Sequence, residues 1–389
     1  MKIVFVGNGT LMSDAYPAPN VGGSVQVWGL SKELAKRGYE IYIIRRARLN
    51  EITCADGVKI VGISFNSIDA RTPHFSYPYF MGALFSQLYF SRKAMNLIKH
   101  IKPDIICLID RFSGLFPSYL NVAKVYTVHV AEALNFHKSY SIYANKLNSI
   151  MFSVKKLFEN KILHNVDKIV VLNTFIKKYL ERIGYENVCK IPNGIDIPQF
   201  SHITDNNFIL YAGRFDWNKN VCSLVNVFTQ IHKLYPSYYL YLVGSGPEEK
   251  RIISLVREKG VCSKVKIVPW LPRNKVMELM SRCSIFVLPS FFEVCPVVVL
   301  EAMASAKPVI ARANMGTVDI ITHGENGYLY NNDGELRAYL EKLLSDDNLR
   351  KKIGYNARCI VEREYTFSKI ADKYEELFYK LLTKYKNLT

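Results

Sequence analysis

The sequence contains no C-x-x-C pair, and its eight cysteines (54, 107, 189, 222, 262, 283, 295 and 359) never cluster with histidine. This excludes a zinc finger and offers no disulfide framework; buried free thiols in a reducing compartment are the expectation. Long apolar runs are also missing. Away from strand-like segments the most apolar stretch, Phe80–Phe85, ends in Ser86 and Gln87, far short of the ~20 residues of a membrane-crossing helix. The start, MKIVFVGNG, lacks a charged segment followed by a long apolar one, so a cytoplasmic, soluble or peripheral protein is expected. Acidic residues are under-represented: 34 Asp+Glu face 51 Lys+Arg, a net charge of +17. The surplus is uneven, +12 over residues 1–195 and +5 over 196–389. A basic half suits nucleic acid, an anionic membrane or a polyanionic substrate. No helix-turn-helix, zinc or RNA-binding aromatic pattern supports the first.

What is present is a repeated strand–helix rhythm over 389 residues, enough for two domains. Lys2–Val6 is an apolar run, Ser24–Arg37 has helical spacing, Gly38 suits a C-cap, and Glu40–Ile44 is again strand-like. Ile105–Ile109, Ala123–Val128 and Lys168–Leu172 continue the pattern. It restarts after Asn193-Gly194-Ile195-Asp196 with Phe208–Ala212, Tyr238–Val243, Val265–Val268, Ser284–Leu288 and Pro308–Ala311 as strands. Continuous β-branched runs predict buried parallel sheets with helices on both faces. The expected domains are 1–194 and 195–367, with a charged amphipathic helix over about 368–389 that packs back on the first.

In open α/β sheets ligands bind beyond the carboxyl ends of the strands, so the loops there carry the candidate chemistry. After Leu288 comes Pro-Ser-Phe-Phe-Glu293-Val294-Cys295-Pro296-Val297, followed by a helix that contains Glu301. Pro296 suits a helix start, whose free N–H groups at Val297 and its neighbours attract an anion. Two carboxylates beside an anion site make sense when the ligand pairs phosphates with neutral hydroxyls. Read singly, Glu293 is a helix cap and Glu301 a solvated helix residue. After Phe208–Ala212, Gly213-Arg214 precedes Lys219 by five residues, and both cations suit a diphosphate. Gly22-Gly23 would let backbone approach a phosphate or sugar; the pair does not form a G-x-G-x-x-G fingerprint. His129 follows a strand end.

Together these pieces resemble the family 4 glycosyltransferases. Matching phrases run in order along nearly the whole chain: Ile191-Pro-Asn-Gly-Ile-Asp196, Gly213-Arg214…Lys219, Leu242-Val-Gly-Ser-Gly-Pro247, Glu293 and Glu301 with seven residues between, Lys307-Pro-Val-Ile-Ala311 and Gly324-Glu-Asn-Gly327. The resemblance implies α/β architecture of the GT-B type, two Rossmann-like doubly wound domains, and a retaining enzyme that moves a hexose-type sugar from a nucleotide-diphosphate donor. It implies that Arg214 and Lys219 hold the diphosphate and that Glu301 holds the ribose. Glu293 would meet hydroxyls of the transferred sugar, with the backbone of Val294, Cys295, Pro296 and Val297 nearby. Leu271 would line the base, Gly22 and Gly23 would approach the donor phosphate or acceptor, and His129 would lie near the anomeric carbon. No D-x-D occurs, which agrees with a donor site that uses no metal and no other cofactor. The chain departs from the pattern at Val294-Cys295-Pro296, at Val130 after His129, and at Gly316-Thr-Val-Asp319.

The acceptor is expected to be a glycan, a lipid-linked molecule or another hydroxyl compound. The segment 137–164 combines five lysines with aromatics against the single acid Glu159, and 75–90 adds more rings. Such segments suit an anionic membrane surface, here the inner face of the plasma membrane, or else ordinary helices with core aromatics. Other readings left open are a nucleotide-sugar epimerase or phosphorylase and an inert GT-B partner subunit.

Overall fold

Runs of β-branched and aromatic residues, alternating with amphipathic helices, build two α/β units in the computed structural model, which describes residues 1–7, 22–47, 50–64, 77–129, 146–198 and 204–386. One unit comprises Met1–Pro192 with Ile370–Thr389, and the other Asn193–Lys369.

The first unit contains, in order, β1 (Lys2–Val6), α1 (Gly22–Lys36), β2 (Glu40–Ala47), β3 (Glu51–Ala55), β4 (Val58–Ser64), α2 (Tyr77–Ile101), β5 (Ile105–Leu108), β6 (Ala123–Val128), α3 (Lys146–Asn165), β7 (Lys168–Val171), α4 (Thr174–Arg182) and β8 (Val188–Lys190). Its sheet has the order β3-β4-β2-β1-β5-β6-β7-β8. Neighbours are parallel except β3 and β4. That antiparallel hairpin corrects the expectation of a purely parallel sheet. Asp56 and Gly57 both take left-handed φ (47° and 77°), the conformation that a two-residue hairpin turn demands and that Asp-Gly supplies at low cost. Gly22 and Gly23 are the first residues of α1, not a loop ahead of it. Gly38 ends the same helical segment at φ 87°.

The core of this unit joins Ile3, Phe5, Leu34, Ile41 and Val125 to Ile370, Tyr374, Phe378 and Leu381 of the last helix. Each large apolar side chain fully buried in this way contributes about 1.5–3 kcal/mol. Polar ties add direction: Arg37 Nη1 donates to Asp372 (2.8 Å) and Glu375 (2.6 Å), and the hydroxyls of Thr127 and Tyr374 meet at 3.1 Å.

The second unit contains β9 (Phe208–Ala212), α5 (Val221–Ile231), β10 (Tyr239–Val243), α6 (Glu249–Glu258), β11 (Val265–Val268), α7 (Arg273–Arg282), β12 (Ile285–Leu288), α8 (Val297–Ala304), β13 (Val309–Arg312), β14 (Tyr328–Tyr330), α9 (Asp333–Ser345) and α10 (Asp347–Glu364). The final helix, α11 (Phe367–Lys386), begins here and passes into the first unit. The sheet order is β11-β10-β9-β12-β13-β14, and all neighbours are parallel. From β9 the chain winds outward through β10 to β11, then returns to β12 on the other side and winds the opposite way. The reversal between β9 and β12 is the topological switch point, where the loops part and leave a crevice beyond the strand ends.

Candidate functional site

The two loops that leave the switch point carry the charged residues of the motifs. After β9, Gly213 leads into a 3-10 turn at Trp217–Lys219, and Asn220 stops it with φ 51° before α5. Asparagine tolerates this left-handed conformation better than most residues. After β12 the chain runs through Ser290 and Glu293 to α8. The two loops are clipped together: Phe291 N donates to Asn218 O (2.8 Å), Asn218 Nδ2 donates to Phe292 O (3.0 Å), and the rings of Trp217 and Phe291 lie 6.2 Å apart. The clip brings Lys219 Nζ to 2.6 Å from Glu293 Oε1, with both side chains mostly sheltered.

Backbone crowding sets the shape of this edge. A Cβ on Gly244 would lie 1.9 Å from Gly213 O, and one on Gly316 would lie 2.6 Å from Glu293 O. Only glycine permits these approaches, so the loops after β9 and β10, and the Glu293 and Gly316 loops, sit backbone to backbone. Gly316 thus has a role where the chain departs from the family phrase. Asn193, from the Ile191–Asp196 phrase, donates from Nδ2 to Cys295 O at 3.0 Å. It thereby fixes the segment just ahead of α8.

Pro296 occupies the N-cap of α8, one place earlier than the first helical position, and no side chain caps the helix. Glu293 is therefore not a cap. The first N–H groups of the helix, at Val297 and Val298, have no acceptor within it, and they carry the positive end of the helix dipole. Three buried polar atoms in this region, Asp216 Oδ1, Asn218 Oδ1 and Ser290 Oγ, have no hydrogen-bond partner among the described residues. Such atoms are uncommon in folded proteins.

The remaining sequence candidates have other partners. Arg214 is well exposed, and its Nε lies 3.5 Å from Asp216 Oδ2. Glu301 is buried, and its Oε1 accepts from Arg273 Nε at 2.7 Å. Burial pushes its carboxyl above the usual range, while Arg273 pulls it back. The solvated-helix reading of Glu301 is thus wrong. Arg273 was not among the sequence candidates; it stands 28 positions before Glu301, and no local spacing announces the pair. Leu271 lies in the loop between β11 and α7, two residues before Arg273.

In the first unit, His129 follows β6 directly. Desolvation at the strand end lowers its imidazole to about 4, with the Asp110 carboxylate opposing the shift, so the ring is neutral at pH 7. Asp110 itself accepts from Phe112 N, Ser113 N and Ser113 Oγ. The residues 130–145, including Lys138, Tyr140 and Tyr143, lie outside the described residues, as do 65–76. On α2, Phe85 and Tyr89 are exposed whereas Phe90 is buried. On α3, Phe158 packs edge-on against Phe112, and Glu159 is buried with Tyr126 OH donating to it. The basic segment is thus partly a core-facing helix. Among the described residues no helix is long and apolar enough to cross a membrane, and no group of metal-binding side chains gathers.

Comparison with known proteins bears on the family and the fold. A family model described as Glycosyl transferases group 1 matches residues 195–359, and one described as Glycosyltransferase Family 4 matches 21–199. The N-acetyl-alpha-D-glucosaminyl L-malate synthase of Bacillus anthracis is 26% identical over 393 residues, covering 95% of this chain and 97% of its own. Among solved structures, sucrose-phosphate synthase from Thermosynechococcus elongatus superposes with a TM-score of 0.81 at 21% identity, covering 99% of this chain and 100% of that one. HepE from Anabaena, solved with UDP and glucose, gives 0.70 at 18% identity over 98% of this chain and 100% of that one. At these identities the structural matches speak for the fold.

Proposed function

We infer that this chain, which belongs to the family 4 glycosyltransferases and has their GT-B fold, transfers a hexose-type sugar from a nucleoside-diphosphate donor to a hydroxyl acceptor with retention at the anomeric carbon. The observation that carries the reading is the Lys219–Glu293 pair across the β9/β12 switch point, beside the uncapped start of α8. The crevice there offers a cation and free N–H groups to a diphosphate, with the Glu293 carboxylate beside Lys219 for a hydroxyl.

In this reading the diphosphate takes Lys219 and the N–H groups at Val297 and Val298, and the exposed Arg214 swings onto it. Glu293, released from Lys219, accepts from a hydroxyl of the transferred sugar, with Gly213 and the backbone of Val294–Pro296 lining the approach. Glu301 accepts from the ribose, and Leu271 covers the base. As the bond from the anomeric carbon to the diphosphate oxygen breaks, negative charge gathers on the leaving group. Lys219, Arg214 and the helix start oppose it more strongly than they oppose the intact donor, which lowers the barrier. These groups are fixed charges and dipoles of the chain, so the proposed chemistry needs no divalent ion. His129, neutral at pH 7, serves as a hydrogen-bond partner for a sugar hydroxyl and not as an acid. Gly22 and Gly23 at the start of α1 offer N–H groups to the acceptor. The HepE complex, with its UDP and glucose, makes UDP the first donor base to test.

The acceptor reading is a glycan or lipid-linked hydroxyl compound, with peripheral contact to anionic lipid through the exposed rings and lysines of α2 and α3. Anionic vesicles should bind the protein at low salt and release it at high salt; failure to bind at any salt concentration removes this contact.

The donor reading is tested by thermal stabilisation with UDP, GDP and ADP in EDTA, because a ligand of the native state raises its melting point. One of the three should stabilise, and its sugar conjugate should be slowly hydrolysed without acceptor. No stabilisation by any of them, or recovery of epimerised nucleotide sugar, overturns the proposal.

A further inference from the structure

The geometry points to Arg273 as a positioning residue that links recognition of the base to recognition of the ribose; this rests on the donor-site reading above. Glu301 is 8% exposed, and its Oε1 is occupied by Arg273 Nε at 2.7 Å. Oε2 has no protein hydrogen bond among the described residues. Besides α7, the elements β12, β13 and α10 pack against α8, and they bring no charged group that shifts Glu301. Arg273 therefore acts on this carboxylate alone, and in two ways.

It first supplies the positive charge that a buried carboxyl needs to stay ionised. It then takes one oxygen and so fixes the plane of the carboxylate, leaving Oε2 as a single aimed acceptor. An aimed anionic acceptor suits a neutral hydroxyl and repels a phosphate, which sorts the ribose from the diphosphate held at Lys219. The second half of the inference comes from connectivity. Arg273 is the first residue of α7 and follows Trp270-Leu271-Pro272 without a gap. The loop proposed to cover the base and the guanidinium that aims the ribose acceptor thus move as one piece. A base that displaces this loop also displaces the partner of Glu301, so a wrong nucleotide loses ribose contacts as well as base contacts.

The test is calorimetric binding of UDP, GDP and ADP, each beside its 2′-deoxy form, to the wild type, Arg273→Gln and Arg273→Lys, from pH 5 to 8. For the nucleotide that binds the wild type, Arg273→Gln should weaken affinity by about tenfold or more while the 2′-deoxy form loses little, and Arg273→Lys should recover part of the difference. Without its cation the Glu301 carboxyl titrates higher, so the fall in affinity on acidification should begin at higher pH in Arg273→Gln. Folding is checked by melting each variant, and Arg273→Lys keeps the test alive if Arg273→Gln does not fold. Equal losses for the ribo and deoxy forms, or an unchanged pH dependence, overturn the assignment and leave the donor site standing. A wild type that binds none of the nucleotides removes both.

Discussion

The carboxyl edges of the two sheets are furnished differently. In the second unit the loops after β9, β10, β12 and β13 press backbone on backbone at Gly213, Gly244 and Gly316, and two sheltered acids each have their own cation, Glu293 with Lys219 and Glu301 with Arg273. In the first unit the edge after β5 and β6 offers Asp110, whose carboxylate serves its own turn, and a desolvated neutral His129. Under the proposed function the contrast has a physical sense. A nucleoside diphosphate is the same at every turnover and rewards a preorganised, charged edge, because fixed dipoles need no reorganisation as charge develops. An acceptor presents mainly neutral hydroxyls, which a neutral imidazole such as His129 can receive.

The contrast breaks first at Lys219. Lys219→Ala should lower kcat/KM for sugar transfer by about 10²–10³-fold, the loss seen when one preorganised donor to a developing charge is removed. Steady-state rates at saturating acceptor measure it, and a loss below threefold would mean that the diphosphate is held elsewhere. Glu293→Gln comes next. It keeps the shape but gives up the charge, and a fall of about 10–10²-fold is expected, mostly in kcat, since a charge-assisted bond contributes roughly 1.5–3 kcal/mol. Gly316→Ala should follow with a smaller loss, read as a weaker donor affinity with an intact first unit, because the new Cβ pushes the Glu293 loop and does nothing else. Asn193→Ala, which removes one donor to the Cys295 carbonyl, should cost about 1 kcal/mol of stability.

His129 sharpens the other side of the comparison. Its imidazole is lowered to about 4 in the folded chain from 6.5 in the unfolded one. Above pH 6.5 both states are neutral and the residue adds no pH dependence. As pH falls from 6.5 toward 4 only the unfolded chain takes up the proton, so the native state loses stability over that window. The melting temperature of the wild type should therefore fall faster with acidification than that of His129→Asn, and parallel curves would show that the ring titrates normally.

How far the sequence disclosed this organisation depends on the range of the forces involved. Strands β6 and β9 stand in the structure with the limits that their runs predict, because each is buried along its whole length and a strand buried on both faces is written mostly in apolar residues. The β3–β4 hairpin went unread although Asp56-Gly57 signals it: its outer strand β3 is short, lies at the sheet edge and exposes Ile52, so the pattern is diluted. Lys219 and Glu293 were legible as separate motifs, since each follows a strand end. Their 2.6 Å pairing was not, because it arises from the clip between Asn218 and the residues Phe291 and Phe292. Arg273 left no mark at all, as its partner is fixed by helix packing.

The most direct measurement is calorimetric titration of UDP, GDP and ADP into the wild type and Lys219→Ala in the presence of EDTA. The account predicts that one of the three binds the wild type without a metal and binds the variant at least tenfold more weakly, since a lost charge-assisted bond amounts to about 1.5–3 kcal/mol. Equal affinity in both proteins, or no binding to the wild type, would contradict it.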